Sequence, residues 1–230
     1  MKPGIRFART IKVALLCTWA CCALAQNSPG PHASQPIQKI LDRADAAFYT
    51  GRKQERLTHW DSAANWYGKA LALYRLAHSE KDVGIALHAL GMISDAQGHR
   101  ERALEFFTEA LAAESKAHDA SGRATTLAAM AKVYDDLGQM QKALDLIAQA
   151  LPIFHNDADL QREAITLNYR GRIFEELGRR EDALNDYRKA LALSTNIGDS
   201  EGMAQSSTNI GLTLDNMERQ LEALSYFAKA

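Results

Sequence analysis

One line is written three times at a spacing of 40 residues: QGHRERALEFFTEALAA from Gln97, LGQMQKALDLIAQALPI from Leu137 and LGRREDALNDYRKALAL from Leu177. A unit of that length cannot enclose its own apolar residues. Copies must stack to complete a core, which confines the chain to a repeat architecture.

Aligned at a period of 40, the chain yields five units, the last incomplete, near 44–83, 84–123, 124–163, 164–203 and 204–230. A small residue recurs at Gly51, Gly91, Ala131, Gly171 and Gly211. Alanine recurs at Ala63, Ala103, Ala143, Ala183 and Ala223, and again seven residues on at Ala70, Ala110, Ala150, Ala190 and Ala230. Between the alanines lies a bulky column, Tyr67, Phe107, Ile147, Tyr187 and Phe227. Two alanines seven apart share a helical face, and their small side chains admit a neighbouring helix at about 8–10 Å. The bulky residue fills the wedge between helices. Gly98, Gly138 and Gly178 stand where a left-handed backbone ends the first helix of a pair. From Ile37 onward Pro152 is the one proline, the apolar spacing is helical and no strand pattern occurs. Each unit is therefore expected to be a helical hairpin.

The signature G-x₁₁-A-x₃-[YFI]-x₂-A resembles that of tetratricopeptide (TPR) repeats, and the period of 40 resembles the longer-helix subclass of kinesin light chains. VYDDLGQMQKALDLIAQALPIF (133–154) and LALSTNIGDSEGMAQSSTNIG (191–211) resemble bacterial arrays that precede CHAT protease domains. The resemblance implies an all-α, right-handed superhelical TPR solenoid of five hairpins over residues 37–230. The chain departs from the pattern in several places. Ala47 and Thr50 stand where later units have Leu87 and Leu90. Thr58 and Glu218 replace the turn glycine, and Arg170 sits in a column otherwise held by Leu90, Met130 and Ile210. The sequence ends within the tenth repeat helix, as expected of the N-terminal piece of a longer protein with a further domain.

Residues 1–25 differ in kind. Lys2, Arg6, Arg9 and Lys12 precede the apolar run Val13–Ala25, which ends in Ala-Leu-Ala before Gln26. This is the pattern of a signal peptide cleaved after Ala25, followed by a Pro- and Gly-rich leader at 26–36. It implies a periplasmic or secreted protein with no membrane attachment after cleavage. The only cysteines, Cys17, Cys21 and Cys22, lie inside this segment. The mature chain then has no disulfide, and stacking alone must hold it. Removing the four basic residues of the first 25 from the total of 27 leaves 23 against 28 acidic residues, a net charge of −5. That balance argues against a nucleic-acid partner, which calls for a basic face.

No residue pattern points to catalysis. Gly198-Asp199-Ser200-Glu201-Gly202 is similar to the surroundings of a serine protease nucleophile. However, Asp199 recurs as Asp159 and Asp119, and an aspartate between units is expected to cap the next helix. His32, His59, His78, His88, His99, His118 and His155 include no pair at i,i+4 on one helix. No metal and no cofactor are expected, and the chain is not read as an enzyme.

The TPR resemblance implies that the first helix of each unit lines a groove that binds a protein or peptide. Its expected columns are Phe48, His88, Ala128, Asn168 and Thr208, then Arg52, Met92, Lys132, Arg172 and Leu212. Beside them runs an acidic ladder, Glu55, Asp95, Asp135, Glu175 and Asp215. The candidate peptide contacts are Arg52, His88, Lys132, Asn168, Arg172 and Asn209. The acids serve either as i,i+3 and i,i+4 support for their own helices or as a charged rail that orients a ligand. The alternative to a free-standing scaffold is a sensory or substrate-docking region of a larger enzyme, such as a CHAT-type protease or a membrane signalling protein.

Overall fold

The computed structural model describes residues 35–228; the segment expected to be a signal peptide and nearly all of the expected leader lie outside the described residues. Ten helices follow one another, and no strand occurs among the described residues: α1 (Gln35–Arg56), α2 (Trp60–Leu76), α3 (Glu80–Ala96), α4 (Arg100–Lys116), α5 (Ala120–Asp136), α6 (Met140–Asn156), α7 (Leu160–Glu176), α8 (Arg180–Ile197), α9 (Ser200–Asp215) and α10 (Gln220–Phe227). They pair as five hairpins, α1–α2 to α9–α10, and each hairpin packs only on its neighbours. The chain is an all-α TPR solenoid. Helix α1 takes in Gln35 and Pro36, which the sequence assigns to the leader. Proline is tolerated there because the first turn of a helix has no partner for its N–H.

Both turn types use a left-handed residue. Within hairpins it is Thr58, Gly98, Gly138, Gly178 and Glu218; between hairpins it is His78, His118, Ala158 and Gly198. The backbone at the departures Thr58 (φ 56°) and Glu218 (φ 61°) is thus the same as at the glycines they replace. Asp119, Asp159 and Asp199 cap α5, α7 and α9 by accepting from the N–H groups of Gly122, Arg162 and Gly202 at 2.9, 3.1 and 3.1 Å. Ser200 merely opens α9.

The small and bulky columns meet face to face. A Cβ on Gly91 would lie 2.5 Å from the ring of Phe107, and one on Gly171 the same distance from that of Tyr187. Where the small residue is Ala131, the bulky partner is the narrower Ile147, and both are fully buried. Ring size and glycine are therefore matched hairpin by hairpin.

The junctions between hairpins differ in tightness. The loosest is α6 against α7. Pro152 lies within α6 and has no N–H to give the carbonyl of Ala148. Both residues border a cavity of about 560 Å³ between α6, α7 and α8.

Candidate peptide groove

Helix α3 touches α5, and α7 touches α9, across the intervening second helices. The first helices therefore follow the shorter, inner path of the superhelix and form the lining of its groove. On that lining Arg52, Met92, Lys132, Arg172 and Leu212 are all exposed. So are Ile85 and Ile165, two turns earlier on α3 and α7, and Tyr49 on α1.

The other expected column divides: Thr208 is exposed and Phe48 and Ala128 are half-buried, but two members differ. His88 and Asn168 turn away from the groove into the junction with the following hairpin. Asn168 is 5% exposed, and its amide donates to Ser206 Oγ at 2.9 Å and accepts from it. His88 Nδ1 lies 3.0 Å from Thr126 Oγ1, and that hydroxyl donates to the buried Glu114 carboxylate at 2.8 Å. The His88 ring also packs on Phe107 at 5.4 Å between centroids. Burial, with Arg162 nearby, lowers the His88 pKa to about 4, so it stays neutral near pH 7. Burial likewise raises the Glu114 carboxyl. Residues one apart on a helix point about 100° from each other, so a side chain at the edge of the groove face can enter the junction instead. Of the two asparagines only Asn209 stays beside the groove, half-buried.

The acidic ladder is chiefly a set of cross-links. Lys132 Nζ reaches Asp95 on the preceding hairpin at 2.8 Å and Asp136 on its own helix at 3.3 Å. Arg172 repeats the pattern with Asp135 at 2.9 Å and Glu176 at 3.5 Å. Asp135 also accepts from the Tyr169 hydroxyl at 2.9 Å. Glu55 takes the Tyr67 hydroxyl, and Glu175 takes those of Tyr187 and Thr213 at 3.0 and 2.6 Å. The acceptors Asp95 and Asp135 are nearly buried, with side chains 9% and 5% exposed. Lys132 and Arg172 therefore hold hairpins together, and their charge facing the groove is largely cancelled. The i,i+4 support expected from the sequence is present; the stronger geometry is the link across 37 residues, which recurs with the repeat.

Arg52 differs. Among the described residues it has no ion-pair partner, and neither do Lys39, Arg43, Lys53 and Arg56 on the same helix. Trp60 and Trp66 pack at the edge of the first core cluster, with Lys69 over the Trp66 ring at 4.1 Å. Among the described residues no three His, Cys, Asp or Glu side chains are placed to hold a metal ion, and no helix is long and apolar enough to cross a membrane.

The tetratricopeptide repeat family profile matches residues 82–155 and 162–230. The chain belongs to the tetratricopeptide repeat family. The match leaves out the first hairpin, where Ala47 and Thr50 replace the family's larger apolar residues. No curated protein matches the chain. Among solved structures, a kinesin light chain of Podosopora anserina with nearly identical TPR-like repeats has a TM-score of 0.66 at 17% identity, covering 82% of this chain and 93% of that one. BtubC (BKLC) of P. vanneervenii has a TM-score of 0.64 at 18% identity, covering 84% and 89%. Aspartyl phosphate phosphatase F of Bacillus subtilis reaches 0.67 at 13% identity, covering 82% of this chain and 59% of that one. At these identities the likeness is one of fold. TPR arrays are in general non-catalytic scaffolds for protein–protein contacts, and this chain has that scaffold.

Proposed function

We propose that the protein is an exported scaffold that captures a peptide or an extended segment of a partner protein in the groove of its first helices. The observation that carries this reading is the exposure of apolar side chains along a lining where the charges of Lys132 and Arg172 are tied up in ion pairs. Met92 is 39% exposed, Ile165 56%, Leu212 50% and Tyr49 72%. They are held at fixed spacing on stacked helices, so little ordering entropy opposes binding. Asn209 offers a donor and an acceptor to a peptide backbone. Arg52 supplies a cation that forms no ion pair among the described residues.

Selection of peptides from a random library on the immobilised chain tests this. Enriched peptides are expected to compete with one another and to lose at least about tenfold in affinity, roughly 1.4 kcal/mol, when Met92 and Ile165 are both replaced by Glu. Circular dichroism should remain unchanged, because neither side chain is part of the core. Enriched peptides indifferent to the double substitution would place binding elsewhere.

Export rests on the basic n-region, the short apolar run and the small residues before Gln26. Expressed in a bacterium with its own N-terminus, the chain should be recovered outside the cytoplasm with Gln26 as its first residue by mass spectrometry. Retention of Met1 on an exported chain would overturn cleavage.

A further inference from the structure

The cavity between α6, α7 and α8 has a counterpart two periods earlier, between α2, α3 and α4. The counterpart measures about 250 Å³, against about 560 Å³ here. Its mouth is strapped shut, because Arg75 on α2 meets Glu109 on α4 at 2.8 Å. The same two positions here hold His155 on α6 and Lys189 on α8, which cannot form that pair. His155 turns instead to Glu163 on α7, a position held by Val83 in the counterpart, with Nδ1 3.1 Å from the carboxylate. Among the described residues no ion pair joins α6 to α8, and Lys189 has neither a hydrogen bond nor an ion pair. The missing strap leaves the cavity open between two second helices, on the side of the array away from the groove.

Wall and mouth differ in chemistry. Leu151, Leu167 and Leu193 line the cavity and belong to one side-chain cluster. The acids at the site are already engaged: Glu163 with His155, and Asp186 with Nε and Nη2 of Arg170. Two donors are not. Lys189 is unpaired, and Arg170, which also lines the cavity, has no hydrogen bond at Nη1 among the described residues. The capacity left over is therefore for an acceptor, and an anionic one makes the stronger bond to such cations. A space of this size lies in the range of roughly 300–1,000 Å³ that takes small molecules.

We infer that this cavity is a second binding site, which takes a small carboxylate carrying a hydrocarbon chain. The carboxylate sits at the mouth on Lys189 and on Nη1 of Arg170, and the chain lies along Leu151, Leu167 and Leu193. A ligand seated there touches α6, α7 and α8 together. It makes across the loosest junction the link that Arg75 and Glu109 make in the counterpart. The site goes beyond the groove reading and stands without it, since the two open on opposite sides of the array.

Isothermal titration of the purified chain with sodium decanoate, kept below its micelle-forming concentration, tests this. One saturable site is expected, and the thermal midpoint should rise with decanoate, because a ligand of the folded state stabilises it. Decylammonium chloride, with the same chain and the opposite charge, should bind at least about tenfold more weakly. Lys189→Ala should weaken decanoate binding about tenfold. His155→Arg with Lys189→Glu rebuilds the strap of the counterpart and should abolish binding with unchanged helicity, since both positions are exposed. Arg170 is kept in every variant, because Asp186 depends on it. Absence of saturable binding overturns the inference, as does equal binding of decanoate and decylammonium, or binding indifferent to the double variant. A short peptide ending in a leucine carboxylate that binds where decanoate does not would overturn the assignment to a hydrocarbon acid.

Discussion

Arg170→Met is expected to cost about 3–5 kcal/mol of stability, although methionine occupies the same column of the preceding unit. The structure shows why. Arg170 Nε donates to Asp186 Oδ2 at 2.6 Å and its Nη2 to Oδ1 at 2.9 Å, and the Asp186 side chain is 2% exposed. Removing the guanidinium strands a carboxylate out of reach of water. The second, third and fifth hairpins fill the same two columns with residues that share a core cluster: Leu90 with Phe106, Met130 with Leu146, Ile210 with Tyr226. Arg170→Met together with Asp186→Leu rewrites the fourth hairpin in the language of the third. A well-packed apolar pair of this kind is commonly as stable as the buried ion pair it replaces. The double variant should therefore return to the stability of the parent chain or exceed it in chemical denaturation followed by circular dichroism. A double variant as unstable as Arg170→Met would show that Asp186 is not what the arginine serves.

The second large effect is expected at Gly91. A methyl group there falls 2.5 Å from Cε1 of Phe107 in a fully packed wedge. Gly91→Ala should destabilise by about 1–3 kcal/mol through overpacking, and Gly91→Val by more. The chain itself carries the remedy, since Ala131 is paired with Ile147. Gly91→Ala combined with Phe107→Ile should lose markedly less than the sum of the two single changes. A positive coupling in a double-mutant cycle measures this. Strict additivity would mean that the two columns do not meet as described.

These two sites mark what could and could not be read from the residues. The columns of Gly, Ala and bulky side chains were legible because each repeats with one physical role. So were the aspartate caps, which need only a local N–H three residues on. The left-handed turns at Thr58 and Glu218 were not, since in the sequence both residues stand only as departures from the turn glycine. Partners that lie across a junction were not legible. A helix face changes direction by about 100° per residue, so His88 and Asn168 could be assigned to the groove only by resemblance. The acid column read either as support within each helix or as a charged rail for a ligand, because i,i+4 spacing shows in a single line of sequence and a link across 37 residues does not. Arg170 was visible as an exception in its column. Asp186 was not linked to it, since a separation of 16 residues has no local signature.

The weak junction at Pro152 has a consequence for how force would travel along the molecule. An array whose units grip only their neighbours transmits tension through each seam in turn, and its compliance collects where the grip is poorest. With the helix ladder interrupted at Ala148 and a void beside it, the seam between the third and fourth hairpins is a hinge-like fracture line. It separates the first three described hairpins from the last two, so under tension this seam is expected to open before the others.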